Sequence, residues 1–124
     1  IDCGTVPENY TSVVRRLRPD HLVIVDAADM GLSPGSVRIV PKSRAGALGL
    51  STHSMPLSMF MEYVDGLAGH VTLVGIQPET MRLGDQLSDG AGEAADALAD
   101  AIREGRLCEI PLLDEASLGD DQVR

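Results

Sequence analysis

His21-Leu-Val-Ile-Val-Asp26-Ala-Ala-Asp-Met-Gly31 decides the fold of this 124-residue chain. Leu22 to Val25 is apolar at every position, the pattern of a strand covered on both faces in a parallel sheet; a strand with one wet face would alternate. Asp26 then stands at the carboxyl end of that strand. A second run, Val71-Thr-Leu-Val-Gly-Ile76, stops at Gln77-Pro78 and reads as another central strand.

Helical signals lie between and around these runs. Thr5 and Glu8 are spaced as a capping box with Pro7 in the first turn, and Tyr10, Val13, Val14 and Leu17 recur at helical spacing, which predicts a helix from Val6 to Leu17 stopped by Pro19. Ser36-Val-Arg-Ile-Val40 alternates before Pro41, as in a strand with a wetter face or at a sheet edge. Lys42 to Ser51 reads as a loop covering one side of a site. Ser54 can cap a helix with Pro56 in its first turn and Leu57, Phe60, Met61 and Val64 as its buried stripe, and Met55 and Met59 are assigned to packing. Glu93 to Glu104 is an Ala-rich helix with Leu98, Ala101 and Ile102 on one face and Gly105 as its stop.

Strands alternating with helices predict one α/β domain over residues 1–113, a three-layer α/β/α arrangement with a mostly parallel sheet. Residues 114–124 form an acidic tail expected to fray. In such sheets active groups collect at the carboxyl ends of strands, and Asp26 satisfies that rule.

The composition narrows the function. Nineteen acids against ten Lys and Arg give a formal charge of −9. That balance opposes a phosphate backbone, where binding depends on basic residues displacing counterions, so no nucleic acid is expected as a partner. One Phe, two Tyr and no Trp leave little aromatic surface for stacking bases. Cys3 and Cys108 are far apart and outside any CxxC spacing, which indicates neither a zinc site nor a disulfide framework. No apolar run approaches the length of a membrane span and no secretory leader is present, so a cytoplasmic protein without membrane insertion is expected. Phosphate loops, GxSxG elbows, HExxH helices and internal repeats are also missing.

Two residues carry the candidate chemistry. Asp26 offers a hard oxygen donor suited to nickel, zinc or manganese when joined by imidazole, or else it is a turn-forming acid that bonds the backbone after the strand. His53, just before a helix start, faces the positive helix end, which disfavours protonation and leaves the ring able to bind metal; the alternative is a capping or surface histidine. Asp29 fits the turn role better. His21 and His70 precede strands at the opposite end of the sheet and read as surface residues. Asp2 fits a turn into the first helix, Glu79 and Asp85 a solvated loop after the last strand, and no serine or cysteine has the context of a nucleophile.

Ile1-Asp-Cys-Gly-Thr-Val-Pro-Glu-Asn9, Val25-Asp-Ala-Ala-Asp-Met-Gly31, Thr52-His-Ser-Met-Pro-Leu57 and Val71-Thr-Leu-Val-Gly-Ile-Gln-Pro-Glu79, in this order and spacing, resemble the maturation endopeptidases of nickel-iron hydrogenases, in the branch that serves hydrogenase 3 and coenzyme-reducing enzymes. The resemblance runs from Ile1 to about Leu113. It implies a metal-dependent endopeptidase that removes the C-terminal extension of the hydrogenase large-subunit precursor after nickel insertion, with nickel as the metal, either resident or supplied by the substrate. By motif, Asp26 and His53 match the family's second and third metal-contacting residues. The first such acid belongs to a β-α unit of roughly 30 residues expected before Ile1. That unit's strand would lie inside the sheet, so without it the chain is expected to be inactive and to self-associate through exposed sheet edges. Cys3 departs from the family, which often has Gly there. A module that binds the nickel-loaded large subunit without cutting it is the alternative, and a receiver-like signalling domain, which would need a Lys after a later strand, ranks behind both.

Overall fold

The computed structural model describes residues 7–45, 49–50, 57–79 and 89–113. The strands are β1 (His21–Asp29), β2 (Val37–Val40), β3 (Gly49–Leu50) and β4 (His70–Ile76), and the helices are α1 (Thr11–Leu17), α2 (Lys42–Ala45), α3 (Leu57–Val64) and α4 (Asp89–Arg103). They form a sheet of order β2-β4-β1-β3. At its centre β1 and β4 run parallel, in register from His21↔His70 to Ala27↔Ile76.

The α/β class expected from the sequence is what the chain adopts, but the sheet is mixed and its parallel character is confined to this central pair. β2 lies antiparallel to β4 from Val37↔Ile76 to Val40↔Leu73. β3 lies antiparallel to the last two residues of β1. The reason is chain length: residues 30–36 join β1 to β2, and a parallel return needs a crossover of about a dozen residues or more. This connection passes over the carboxyl end of β4, because β4 is inserted between the two strands it joins.

Helices cover both faces of the sheet. On one face Val14 of α1, Ala45 of α2 and Phe60, Met61 and Val64 of α3 pack with Ala28, Val40 and Leu73. On the other, Leu98 of α4 packs with Val74 and Ile76. Gly75 marks how closely the first face is packed: a Cβ there would stand 2.9 Å from Ala28 Cβ and 3.2 Å from Met30 Sδ.

Several local expectations are refined. The first helix opens as a 3-10 turn over Pro7–Tyr10 before α1 begins, and it ends at Arg18 in a left-handed conformation, φ 45°, whose amide donates to Val14 O at 2.8 Å. Pro19 explains the stop, since a proline disfavours α geometry in the residue before it. The stretch 42–51, read as a loop, contains α2 and β3. Met59, assigned to packing, is exposed, as are Leu17 and Ile102, which fall on the apolar spacing of their helices.

The two sides of the sheet end differently. Beyond β2, Ile39 bridges to Leu112, with Ile39 N–H donating to Pro111 O at 2.9 Å and Leu113 N–H to Ile39 O at 2.8 Å. Beyond β1, no strand among the described residues pairs with His21–Ala27 on the side away from β4. Accordingly Leu22, Val23 and Ile24 are only half-buried and Val25 is exposed, where the all-apolar pattern predicts cover on both faces.

Candidate functional site

The carboxyl end of the parallel pair is where the sequence places the chemistry. β1 continues past Asp26 to Asp29, so Asp26 lies inside the strand and not at its tip: Ala27 still pairs with Ile76, and Ala28 and Asp29 pair with β3. Asp26 stands opposite Gly75, is half-buried, and its Oδ1 accepts from the amide of Ala27 at 2.9 Å.

Strand alternation puts Leu22, Ile24, Asp26 and Ala28 on one face. Leu22, Ile24 and Ala28 belong to the core that α3 covers, so Asp26 shares its sheet face with α3. The chain enters α3 through Thr52-His53-Ser54, and His53 lies outside the described residues, as do Asp2, Cys3, Met55 and Asp85. Among the described residues no group of three or more His, Cys, Asp or Glu side chains is arranged to hold a metal ion.

Gln77, the buried polar residue at this end, is one that the sequence alone does not single out. Its Oε1 accepts from Met30 N–H at 2.5 Å and, more weakly, from Leu32 N–H at 3.4 Å. Its Nε2 donates to Asp29 Oδ1 at 3.3 Å and to Pro78 O at 3.2 Å. On the backbone, Gln77 N–H donates to Ser36 O and Gly35 N–H to Gln77 O, both at 2.8 Å. Both ends of the connection that crosses β4 are thus tied to one residue. Asp29 keeps its expected turn role, accepting from Gly31 N–H at 3.3 Å. Glu79 is exposed. The available signal for Gln77 is a lone amide between an apolar strand and a proline.

At the opposite end, His21 and His70 face each other as the first register pair, both exposed, their rings edge to face with centroids 6.1 Å apart. His21 Nε2 is 2.7 Å from Thr72 Oγ1. Cys108 is a free, exposed thiol.

Comparison with known proteins agrees with this architecture. Residues 1–104 match the model of the hydrogenase maturation protease family HycI. The Hydrogenase 3 maturation protease of Escherichia coli K12 is 45% identical over 80 residues, a stretch that covers 64% of this chain and 51% of the relative. The chain thus spans about half the length of that curated relative. Among solved structures, the endopeptidase HycI from Escherichia coli superposes with a TM-score of 0.77 at 30% identity, covering 92% of this chain and 74% of that one. A crystal structure of a Hydrogenase 3 maturation protease gives 0.79 at 32% identity, with the same coverage. The [NiFe] hydrogenase maturation protease HycI of Thermococcus kodakarensis gives 0.70 at 31%, covering 85% and 68%. With the family model spanning most of the sequence and the fold shared at this level, the chain belongs to the hydrogenase maturation protease family.

Proposed function

We propose that this chain belongs to an endopeptidase that removes the C-terminal extension of a nickel-iron hydrogenase large-subunit precursor after nickel has been inserted, and that Asp26 and His53 are the residues that meet the nickel. The observation that carries this reading is the position of Asp26, a half-buried carboxylate near the carboxyl end of the parallel pair, on the sheet face covered by α3.

Chain connectivity supports a partnership with His53. Leu50 pairs with Ala28, two residues from Asp26 on the same strand. His53 follows Leu50 by three residues, and at roughly 3.5 Å per extended residue the intervening chain is long enough for the imidazole to meet the Asp26 carboxylate. A carboxylate and an imidazole are donors that nickel accepts. With the acid expected before Ile1 as third ligand or base, these donors still leave positions around the ion open, which suits a metal that arrives already bound to the substrate and is read by the protease. Bound there, the ion would polarise the scissile carbonyl or activate water. The protein's own contribution is to hold the Asp26 carboxylate near the strand end, on the sheet face that α3 shares.

A cytoplasmic location is part of the same proposal. No helix among the described residues is long and apolar enough to cross a membrane. Self-association of this chain is part of the same proposal, on the general ground that a strand edge left without a partner is a template for a second chain. Sedimentation across a concentration series tests this: a rising average mass is expected, and a constant monomer mass would refute it.

The functional reading is tested by incubating the full-length protein with nickel-loaded large-subunit precursor and recording intact masses. Release of a C-terminal peptide is the expected result. A stable complex with an untrimmed precursor would instead establish the non-catalytic binding module.

A further inference from the structure

The buried amide of Gln77 is used to its full capacity. A glutamine side chain has two acceptor positions on its oxygen and two N–H donors. Here Oε1 takes the amides of Met30 and Leu32, and Nε2 gives to Asp29 and to the carbonyl of Pro78. Burying a polar group is tolerated when it is bonded in this way, and leaving any one partner unpaired is costly.

The location gives those bonds a consequence. Extending the parallel register by one step beyond Ala27↔Ile76 sets Gln77 beside Ala28, two residues from Asp26 on the same strand. From there it fixes Asp29, Met30 and Leu32, the backbone that leaves β1 shortly after Asp26, while its main chain fixes Gly35 and Ser36 at the far end of the same connection. Gly35, at φ 91°, is tight against α4 as well: a Cβ there would come within 3.0 Å of the carbonyl oxygen of Gly90. The crossing segment is therefore held at its beginning, at its end and from the side.

We infer that Gln77 is a positioning residue for the reaction: it sets the path of the chain leaving β1 and thereby the place of the Asp26 carboxylate relative to the substrate. This inference rests on the protease reading above. Gln77 touches no reacting atom; it acts through Asp29 and the backbone of Met30 and Leu32.

The test exchanges the hydrogen-bonding groups without changing shape. Gln77→Glu keeps an oxygen for Met30 and Leu32 but sets a second carboxylate against Asp29. Combining Gln77→Glu with Asp29→Asn puts the amide donor on the other partner and restores the attraction between residues 77 and 29, while the carbonyl of Pro78 lacks its donor alike in both proteins that carry Gln77→Glu. Cleavage of nickel-loaded precursor by the full-length protein is measured for wild type, both single variants and the double variant, with a thermal melt of each. Displacements of about 1 Å near reacting groups cost on the order of 100-fold in rate. Gln77→Glu is expected to lose roughly 10- to 100-fold in kcat with KM changed by less than about threefold, and the double variant to recover most of that loss at temperatures where all four proteins are folded. Unchanged kcat in folded Gln77→Glu, or a double variant no better than Gln77→Glu, would overturn the inference. If Gln77→Glu does not fold, Gln77→Met is measured in its place: in the folded variant, kcat within about threefold of wild type overturns the inference, and a loss of roughly tenfold or more at little-changed KM upholds it. Absence of cleavage by wild type would instead remove the protease reading on which it rests.

Discussion

The two ends of the β1–β4 pair both carry groups that could bind a metal, and they treat them differently. At the amino end, His21 and His70 are exposed, and His21 bonds to a threonine on the neighbouring strand. At the carboxyl end, a half-buried aspartate stands two residues before a point where a buried amide ties together the strand end, a crossing connection and a turn acid. Two imidazoles in register look more like a metal site on paper than one carboxylate does. Both ends have backbone ties, Gly69 N–H to Pro19 O and His70 N–H to Asp20 O at the amino end, and what separates them is a buried side chain. At the carboxyl end Gln77 also holds the chain near the candidate group, and preorganised geometry is what a reacting site needs.

The largest expected effect breaks or confirms this contrast directly. Asp26→Asn should lower precursor cleavage by about 100-fold or more, the range seen when a group acting in proton transfer or charge stabilisation is removed. His21→Ala combined with His70→Ala should leave cleavage within about twofold, as expected of exposed residues away from the site. A timed gel or mass assay separates the two, and equal losses at both ends would dissolve the comparison.

Next in size is packing beneath Asp26. Gly75→Ala inserts a methyl where 2.9 Å separates the new Cβ from Ala28 Cβ. Overpacking of this kind costs about 1–3 kcal/mol, measurable as a lower urea midpoint at unchanged slope. A neutral result would show that the strand pair yields at its carboxyl end, contrary to the anchored picture.

The smallest effect is expected at the amino end. Thr72→Val removes the hydroxyl that meets His21 in an exposed setting. Water replaces such a partner readily, so the loss should stay below about 0.5 kcal/mol in the same denaturation experiment.

Much of this architecture is legible in the sequence. Leu22-Val-Ile-Val25 and Val71 to Ile76 read as central parallel strands, and they pair with each other. Val37–Val40 reads as an edge candidate, and among the described residues a bridge at Leu112 is what lies beyond it. Gly105 reads as a stop, and it follows α4 at φ 72°. The antiparallel outer strands are not legible, because apolar runs report burial and not direction. Direction is set by the short 30–36 connection and by β4 inserting itself later in the chain. Met59 is misplaced, and Leu17 and Ile102 are exposed on their apolar stripes, for a related reason: helical periodicity identifies a stripe, whereas its width in contact with the sheet depends on how the helix is docked.

The site is legible in part. Asp26 can be found from the strand that carries it, and the carboxyl-end rule places it close to where it lies, although the strand runs three residues further. Gln77 cannot be found that way, since its importance comes from the connection between two other strands passing over it. His53 is singled out by sequence context, and the described residues do not include it.

The measurement that tests the account most directly is cleavage of nickel-loaded and nickel-free precursor by the full-length protein, beside Asp26→Ala and His53→Ala, with the trimmed product quantified by intact mass. Wild type is expected to trim only the nickel-loaded precursor, and both variants to fail on it while remaining folded. Trimming of nickel-loaded precursor by either variant at the wild-type rate, or equal trimming of both precursors by wild type, would contradict it.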